Sequence, residues 1–183
     1  AAESNAAANA LAARGVAPDD RVGICLQNGV EFSTAYLGAM KRGAVPVPVN
    51  TRFTDEQVRY VLDTSEVSVL VTDATFESVA RDVPTPITVD GSVGASFEAL
   101  LAESSAAYTP EPRRRDQLAA VVYSSGTTGR PKGVRHTHGN VFANARGITR
   151  YHHLTRDEVG LTASQCFHVT GLNVTTTPLL LAG

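Results

Sequence analysis

Apolar positions along the chain alternate between two rhythms. Short β-branched runs are separated by stretches whose apolar residues recur every three or four positions. The first pattern predicts buried strands at Arg21–Leu26 ("RVGICL"), Val67–Thr72 ("VSVLVT") and Pro86–Asp90 ("PITVD"). Ala44–Asn50 ("AVPVPVN") shares the bias but carries two prolines, which predicts a short or edge strand. Between these come helices. The alanine-rich opening, "AAESNAAANALAARGV", forms one that ends at Gly15. A second starts near Asn28, with Glu31 as a capping-box partner, and runs to about Lys41; a third starts from the Thr54–Gln57 capping box, with Val58, Val61, Leu62 and Ser65 at helical spacing. Short helices are predicted over Phe76–Arg81 and Ser96–Glu103. This alternation predicts an α/β fold: a doubly wound, mostly parallel sheet flanked by helices.

Residues Ser104–Gln117 break the rhythm with prolines and charge, and read as a surface connection. They divide the chain into a first α/β portion, 1–103, and a second portion, 118–183. Arg113–Arg115 within the connection could meet phosphate, but a solvated loop is the reading preferred. A strand then follows at Leu118–Ser125, and Gly133–Thr137 is extended again. Thr137 caps a helix whose apolar stripe is Val141, Phe142, Ala145, Ile148 and His152.

Composition narrows the function classes. The 183 residues suffice for one core, burying about 70% of the unfolded surface. A net charge of −2 leaves no basic footprint for nucleic acid, while small anions need only local positive charge. No apolar run reaches the ~20 residues that span a bilayer. Cys25 and Cys166 sit singly among apolar residues, with neither disulfide nor zinc spacing, so a reducing cytoplasm is expected. Acidic Glu3 and the lack of a basic-then-apolar start argue against a signal peptide. The chain opens without methionine, in the body of a helix, and stops at "TPLLLAG"; both ends read as cut from a longer chain.

The candidate chemistry lies in "YSSGTTGRPKGV", Tyr123–Val134. A strand running into this segment would place Ser124, Ser125, Thr127 and Thr128 hydroxyls at the mouth of a sheet. Gly126 and Gly129 could turn successive amides inward as an anion nest. Arg130 and Lys132 add positive charge, with Pro131 stiffening the exit. A polyphosphate cradle is the physical reading, against a glycine-rich turn without a ligand. It is not a Walker loop: Gly126 and Gly129 are three apart, and glycine rather than Ser or Thr follows Lys132. No Gly-x-Gly-x-x-Gly follows the early strands, which disfavours a dinucleotide fold.

"YSSGTTGRPKGV" followed by "THGN" closely resembles the phosphate-loop signature of the adenylate-forming (AMP-binding) superfamily, which includes acyl-CoA synthetases. The resemblance extends to "ARGVAPDDRVGICLQNGVEF", to "GAMKRGAVPVPVNTRFTDEQVRYVLDTSEVSVLVTD" and to "CFHVTGLN". It implies the N-terminal portion of an enzyme that activates a small-molecule carboxylic acid with ATP and Mg2+, then passes the acyl group to the thiol of coenzyme A. By position, Ser124, Ser125, Gly126, Thr127, Thr128 and Gly129 would cradle the ATP phosphates, and Lys132 would neutralise the leaving pyrophosphate. His168, in "FHVTG", would line the acyl pocket; an ordinary partly buried histidine is the alternative. Gln165 and Cys166 depart from the proline and aliphatic residue often found just before it, leaving the acid open.

The family's adenine and ribose sites, its magnesium-binding Thr-Glu and its distant catalytic lysine lie downstream, so the isolated chain is expected to be inactive. An amino-acid or aryl-acid adenylation domain, or a naturally short, non-catalytic nucleotide-binding module, are the alternatives. The remaining histidines carry less. His136 and His138 flank a helix start, where capping or a surface role is expected. His152 and His153 are expected to end that helix, where imidazole suits its dipole, rather than to pair on a metal. Cys166 has no partnered base and reads as a packed thiol.

Overall fold

In the computed structural model, which describes residues 1–124 and 130–183, strands β1 (Arg21–Cys25), β2 (Val45–Pro48), β3 (Val67–Asp73), β4 (Thr85–Val89) and β5 (Ala95–Ser96) form one parallel sheet. Its order is β2-β1-β3-β4-β5. Successive side chains on a strand point to opposite faces, and the core is partitioned accordingly. Val22, Ile24, Val69, Val71 and Ile87 pack on one face with residues of α1 (Ala2–Ala13), α2 (Val30–Lys41) and α5 (Phe97–Glu103). Cys25, Leu70 and the three valines Val45, Val47 and Val49 pack on the other, under α3 (Asp55–Thr64) and α4 (Glu77–Ala80). The fold is therefore α/β, with a parallel sheet wound on both faces, as the apolar rhythm predicts. Gly23 leaves room on β1 for α3: a Cβ there would stand 3.0 Å from the Leu62 side chain.

Local sequence explains the helix geometry. Alanines 6, 7, 8 and 10 are buried, and small side chains let α1 lie close on α2. The tightest point is Gly38, where a Cβ would meet that of Ala7 at 2.6 Å. Gly15, at φ +82°, takes the left-handed turn that ends α1. Thr54 and Gln57 close the expected capping box: the Gln57 N–H donates to Thr54 Oγ1 at 3.3 Å, and the Thr54 N–H to Gln57 Oε1 at 3.1 Å. The box expected at Asn28 and Glu31 does not form. Helix α2 is capped by Gly29 without a side-chain bond, because the Asn28 amide is engaged with a distant segment described below. A 3₁₀ turn, Ala74–Phe76, precedes α4, and the two-residue β5 adds a strand the sequence pattern does not show.

Strand β2 is the sheet's edge, as its prolines suggest. The N–H groups of Val45 and Val49 donate inward to Asp20 and Ile24 carbonyls, at 2.8 Å each. Backbone direction alternates along a strand, so Pro46 and Pro48 face outward, where no N–H is needed. Beside that edge lies a separate antiparallel pair, β6 (Leu118–Ser124) and β7 (Lys132–Thr137). Residues 104–117 reach it without a strand, and with no helix after Ser104. Arg113 departs from the solvated reading of that connection: its buried side chain pairs with Asp19. Arg114 pairs with Asp116, and Arg115 lies over the Phe142 ring at 5.2 Å.

Helix α6 (His138–Tyr151) begins at a second capping box, Thr137 with Asn140. Its buried face is narrower than the stripe expected. Val141 and Ala145 are buried, Ile148 is half-buried, Phe142 is exposed beneath Arg115, and His152 is an exposed C-cap. A π-helical turn, Thr170–Thr176, then leads into α7 (Thr177–Ala182). Pro178 has no N–H to donate to that ladder, and three threonine hydroxyls bond back to carbonyls a turn earlier. Thr175 and Thr176 each donate to the Gly171 carbonyl at 2.7 Å, and Thr177 to that of Leu172 at 2.8 Å.

Two glycines test the packing account in opposite directions. Gly38→Ala gains about 1 kcal/mol of helix propensity but overpacks against Ala7, at a cost of roughly 1–3 kcal/mol, so a net loss is expected. Gly147, exposed in α6 with nothing within 4 Å of an added Cβ, should gain roughly 0.5–1 kcal/mol as alanine. Urea titration of both variants measures the two signs; stabilisation by Gly38→Ala would refute the close approach.

A second expectation concerns pH. Desolvation holds the half-buried His136 and His138 imidazoles below the ordinary histidine value of 6.5, with Arg113 adding to the effect at His138. The fold thus favours their neutral forms, and the unfolded chain takes up protons first. Their contribution is present above about pH 6.5 and is lost as pH falls through the depressed folded values. Melting temperature should therefore drop between pH 7 and 5, and less steeply in the His136→Gln/His138→Gln double variant.

Candidate functional site

The two ends of the glycine- and hydroxyl-rich segment meet in the β6–β7 ladder. Ser124 lies opposite Lys132, and Tyr123 opposite Gly133. Opposed residues of an antiparallel pair share a face, so the Ser124 hydroxyl and the Lys132 ammonium leave the loop end of the pair together. Both are exposed, as are Arg130 and Arg135 nearby. No carboxylate interrupts Tyr123–Val134, so this end of a net-acidic chain is locally positive. Ser125, Gly126, Thr127, Thr128 and Gly129, the rest of the expected cradle, lie outside the described residues.

The stem is fastened to α3. Tyr123 is buried, and its hydroxyl shares hydrogen bonds with Thr64 Oγ1 at 2.9 Å and Ser65 Oγ at 2.8 Å. Gly133 makes space for the ring: a Cβ there would stand 3.0 Å from Tyr123 Cζ. On the β7 side, the Arg130 guanidinium lies 5.7 Å from the centroid of the Tyr60 ring, and Pro131 is buried. An open cleft of about 440 Å³ runs along this wall, with Arg21, Tyr60, Tyr123, Lys132 and Arg135 among its lining.

His168 stands elsewhere, just before the π-helical turn. Its neighbour Phe167 is 2% exposed, whereas the imidazole is exposed, with the two rings 4.9 Å apart. Asn28 holds this segment to the end of β1. Its Nδ2 donates to the Ser164 carbonyl at 2.9 Å, and the Cys166 N–H donates to its Oδ1 at 2.7 Å. Among the described residues no hydrogen bond joins His168 to Ser124 or Lys132. An apolar cavity of about 280 Å³ lies between α2, α6 and α7, lined by Phe32, Tyr36, Val141, Cys166 and Leu172 among others, but not by His168. Burial raises the Tyr36 phenol and both cysteine thiols, which disfavours their ionised, nucleophilic forms. Both cysteines are free and buried, so Cys166 is the packed thiol expected.

Among the described residues, no group of three or more His, Cys, Asp or Glu side chains could hold a metal. No described helix is long and apolar enough to cross a membrane. The residues that sequence reasoning missed are the fasteners. Asn28 reads locally as a helix cap, and Thr64 and Ser65 read as an ordinary helix end. Their partners are far away in the chain, so no local spacing marks them.

Comparison with known proteins extends this geometry. A family model described as "AMP-binding enzyme" matches residues 1–183. A 3-hydroxybenzoate–CoA ligase of Aromatoleum sp. (strain CIB) is 35% identical over 80% of this chain and 30% of its own. A long-chain-fatty-acid–CoA ligase of Mycobacterium tuberculosis is 38% identical over 78% of this chain and 29% of its own. The crystal structure of ATP-bound MatB from Rhodopseudomonas palustris superposes with a TM-score of 0.88 at 32% identity, covering 99% of this chain and 37% of that one. The chain thus spans about a third of the length of these relatives. With the family model matched from the first residue to the last, the chain belongs to the AMP-binding enzymes.

Proposed function

We propose that this chain is the N-terminal portion of an ATP-dependent acid–CoA ligase, and that Tyr123–Val134 holds the outer phosphates of ATP. The observation that carries the reading is the hairpin end itself: Ser124 and Lys132 in direct register, beside a segment of hydroxyls and glycines free of carboxylates. These residues fit a polyphosphate, because the described ends supply one hydroxyl and two exposed cations, Arg130 and Lys132. Ser125, Gly126, Thr127, Thr128 and Gly129 would complete the cradle through amides and hydroxyls. The relatives named above are CoA ligases, which supports coenzyme A as the thiol acceptor.

In the first half-reaction a carboxylate oxygen of the acid bonds to the α-phosphorus of ATP. The bond from that phosphorus to the bridging oxygen breaks, and pyrophosphate leaves with the electron pair. Negative charge grows on the leaving group, and Lys132, fixed at the end of a ladder, stabilises it electrostatically. In the second half-reaction the thiolate sulfur of coenzyme A bonds to the acyl carbon and AMP departs. Mg2+ would supply further charge neutralisation at the phosphates; the described residues form no metal cluster, so no step is assigned to them through it. His168 is proposed to border the acid's site from the surface of the 164–176 segment. The relatives span aromatic and long-chain acids, so the acid class is a question for a panel containing both.

The intact gene product should show acid-dependent exchange of pyrophosphate into ATP with at least one member of such a panel. Absence of exchange across the panel would overturn the reading. Lys132→Ala should slow exchange by about 100- to 1,000-fold, the loss typical of one transition-state donor of about 2.7–4 kcal/mol. Thioester formation from preformed acyl-adenylate should change far less, because no pyrophosphate leaves in that step. Equal losses in the two half-reactions would count against the phosphate assignment.

A further inference from the structure

We infer that the end of α3 is the anvil on which the phosphate segment is set, and that Tyr123 is a positioning residue for adenylation; this rests on the function proposed above. Both strands that deliver the segment are fastened to the same short stretch of helix. From β6, the buried Tyr123 hydroxyl bonds to Thr64 and Ser65, the last residue and the C-cap of α3. From the β7 side, Arg130 lies over Tyr60, one helical turn earlier. Tyr60 and Thr64 are four apart and share a helix face, so one rigid surface receives both ends.

The fastening is specific in its chemistry. Leu or Phe at 123 would fill the same apolar space but leave the Ser65 hydroxyl, buried at 8% exposure, without this partner. Gly133 belongs to the same device. It sits opposite Tyr123, and only the missing side chain lets the ring lie where its hydroxyl reaches α3. Ser124 follows Tyr123 directly, and Lys132 precedes Gly133, so the phosphate-facing pair is one residue from the fastened pair on each strand. Alternation along a strand sends neighbouring side chains to opposite faces. Tyr123 and Gly133 meet α3, while Ser124 and Lys132, one residue along on each strand, stay exposed at the loop end beside the cleft. A transition-state donor displaced by a fraction of an ångström loses much of its effect, which gives this grip a catalytic consequence.

The test uses the intact gene product with Tyr123→Phe, Ser65→Ala, the double variant and Lys132→Ala. Pyrophosphate exchange, thioester formation from preformed acyl-adenylate and melting temperature are measured for each. The expectation for Tyr123→Phe, which removes both hydroxyl bonds to α3, is an exchange kcat lower by about tenfold or more. Thioester formation should stay within about twofold, and the Tyr123→Phe/Ser65→Ala double variant should be no slower than Tyr123→Phe, which already removes the bond that Ser65→Ala removes. Gly133→Ala, which presses on Tyr123 Cζ, should reproduce the split, and Tyr60→Phe should exchange faster than Tyr60→Leu because it keeps the ring under Arg130.

A normal exchange rate in Tyr123→Phe, with a slowed Lys132→Ala, would overturn the positioning role and leave the phosphate reading standing. Equal losses in both half-reactions, following the melting temperature, would reduce Tyr123 to a stability residue and also overturn it. Normal exchange in Lys132→Ala would overturn the phosphate reading and this inference together. Should Tyr123→Phe fail to accumulate, the Gly133 and Tyr60 variants decide by the same readouts.

Discussion

Pro46 and Pro48 present no N–H on the outer edge of β2, and much of the architecture follows from that. A parallel sheet grows by adding strands whose ladders need donors on both sides. Here the inward donors of Val45 and Val49 are used by β1, while the outward positions are prolines. The next strand to arrive, β6, therefore lies beside β2 and takes its hydrogen bonds from β7 instead. An antiparallel pair needs a hairpin where a parallel crossover would need a helix. The segment between Ser124 and Lys132 is that connection, so the edge that stops the sheet also creates the place where the candidate chemistry is displayed.

Helix α3 links the two parts. Its inner side sends Val58, Val61 and Leu62 into the core beneath β2 and β3, and Gly23 clears the space for Leu62. Its other surface and its end carry Tyr60, Thr64 and Ser65 to the hairpin. Burying the apolar side fixes the helix at roughly 1.5–3 kcal/mol for each large side chain. The polar contacts to the hairpin are individually worth about 1 kcal/mol, and inherit their geometry from a helix already held by stronger forces. The order matters: packing sets α3, and α3 then sets the stem.

The strands, helices and winding of the sheet were legible because each depends on residues within a few positions. Val22 and Ile24 against Gly23 and Cys25, or Val58, Val61 and Leu62 at helical spacing, declare their faces without knowledge of the rest. The Thr54 and Thr137 caps were legible for the same reason. Asn28 was not, because a capping residue and a long-range tether use the same amide; only the arrival of Ser164 and Cys166 decides between them. Arg113 likewise reads locally as a solvated loop residue, since its partner Asp19 lies far back in the chain. The candidate phosphate segment announced itself by composition, yet the fastening of Tyr123 to Thr64 and Ser65 had no local signal. Long-range polar pairs leave no periodicity, and two of these three hydroxyls occur at positions where a helix end would place them anyway.

The electrostatics complete the argument. A chain of net charge −2 can offer a polyphosphate only a local excess of positive charge, not a global field. Arg130, Lys132 and Arg135 provide that excess at the loop end and along β7. Exposed charges in water are worth little to one another or to the fold, so their placement is not explained by stability. Their value rises when a ligand displaces water from them, provided the backbone beneath does not yield. A ribbon gripped by α3, with these cations gathered around its loop end, meets that condition with few residues. The parts that bind the remainder of a nucleotide can then be supplied by other elements without altering how the phosphate end is held.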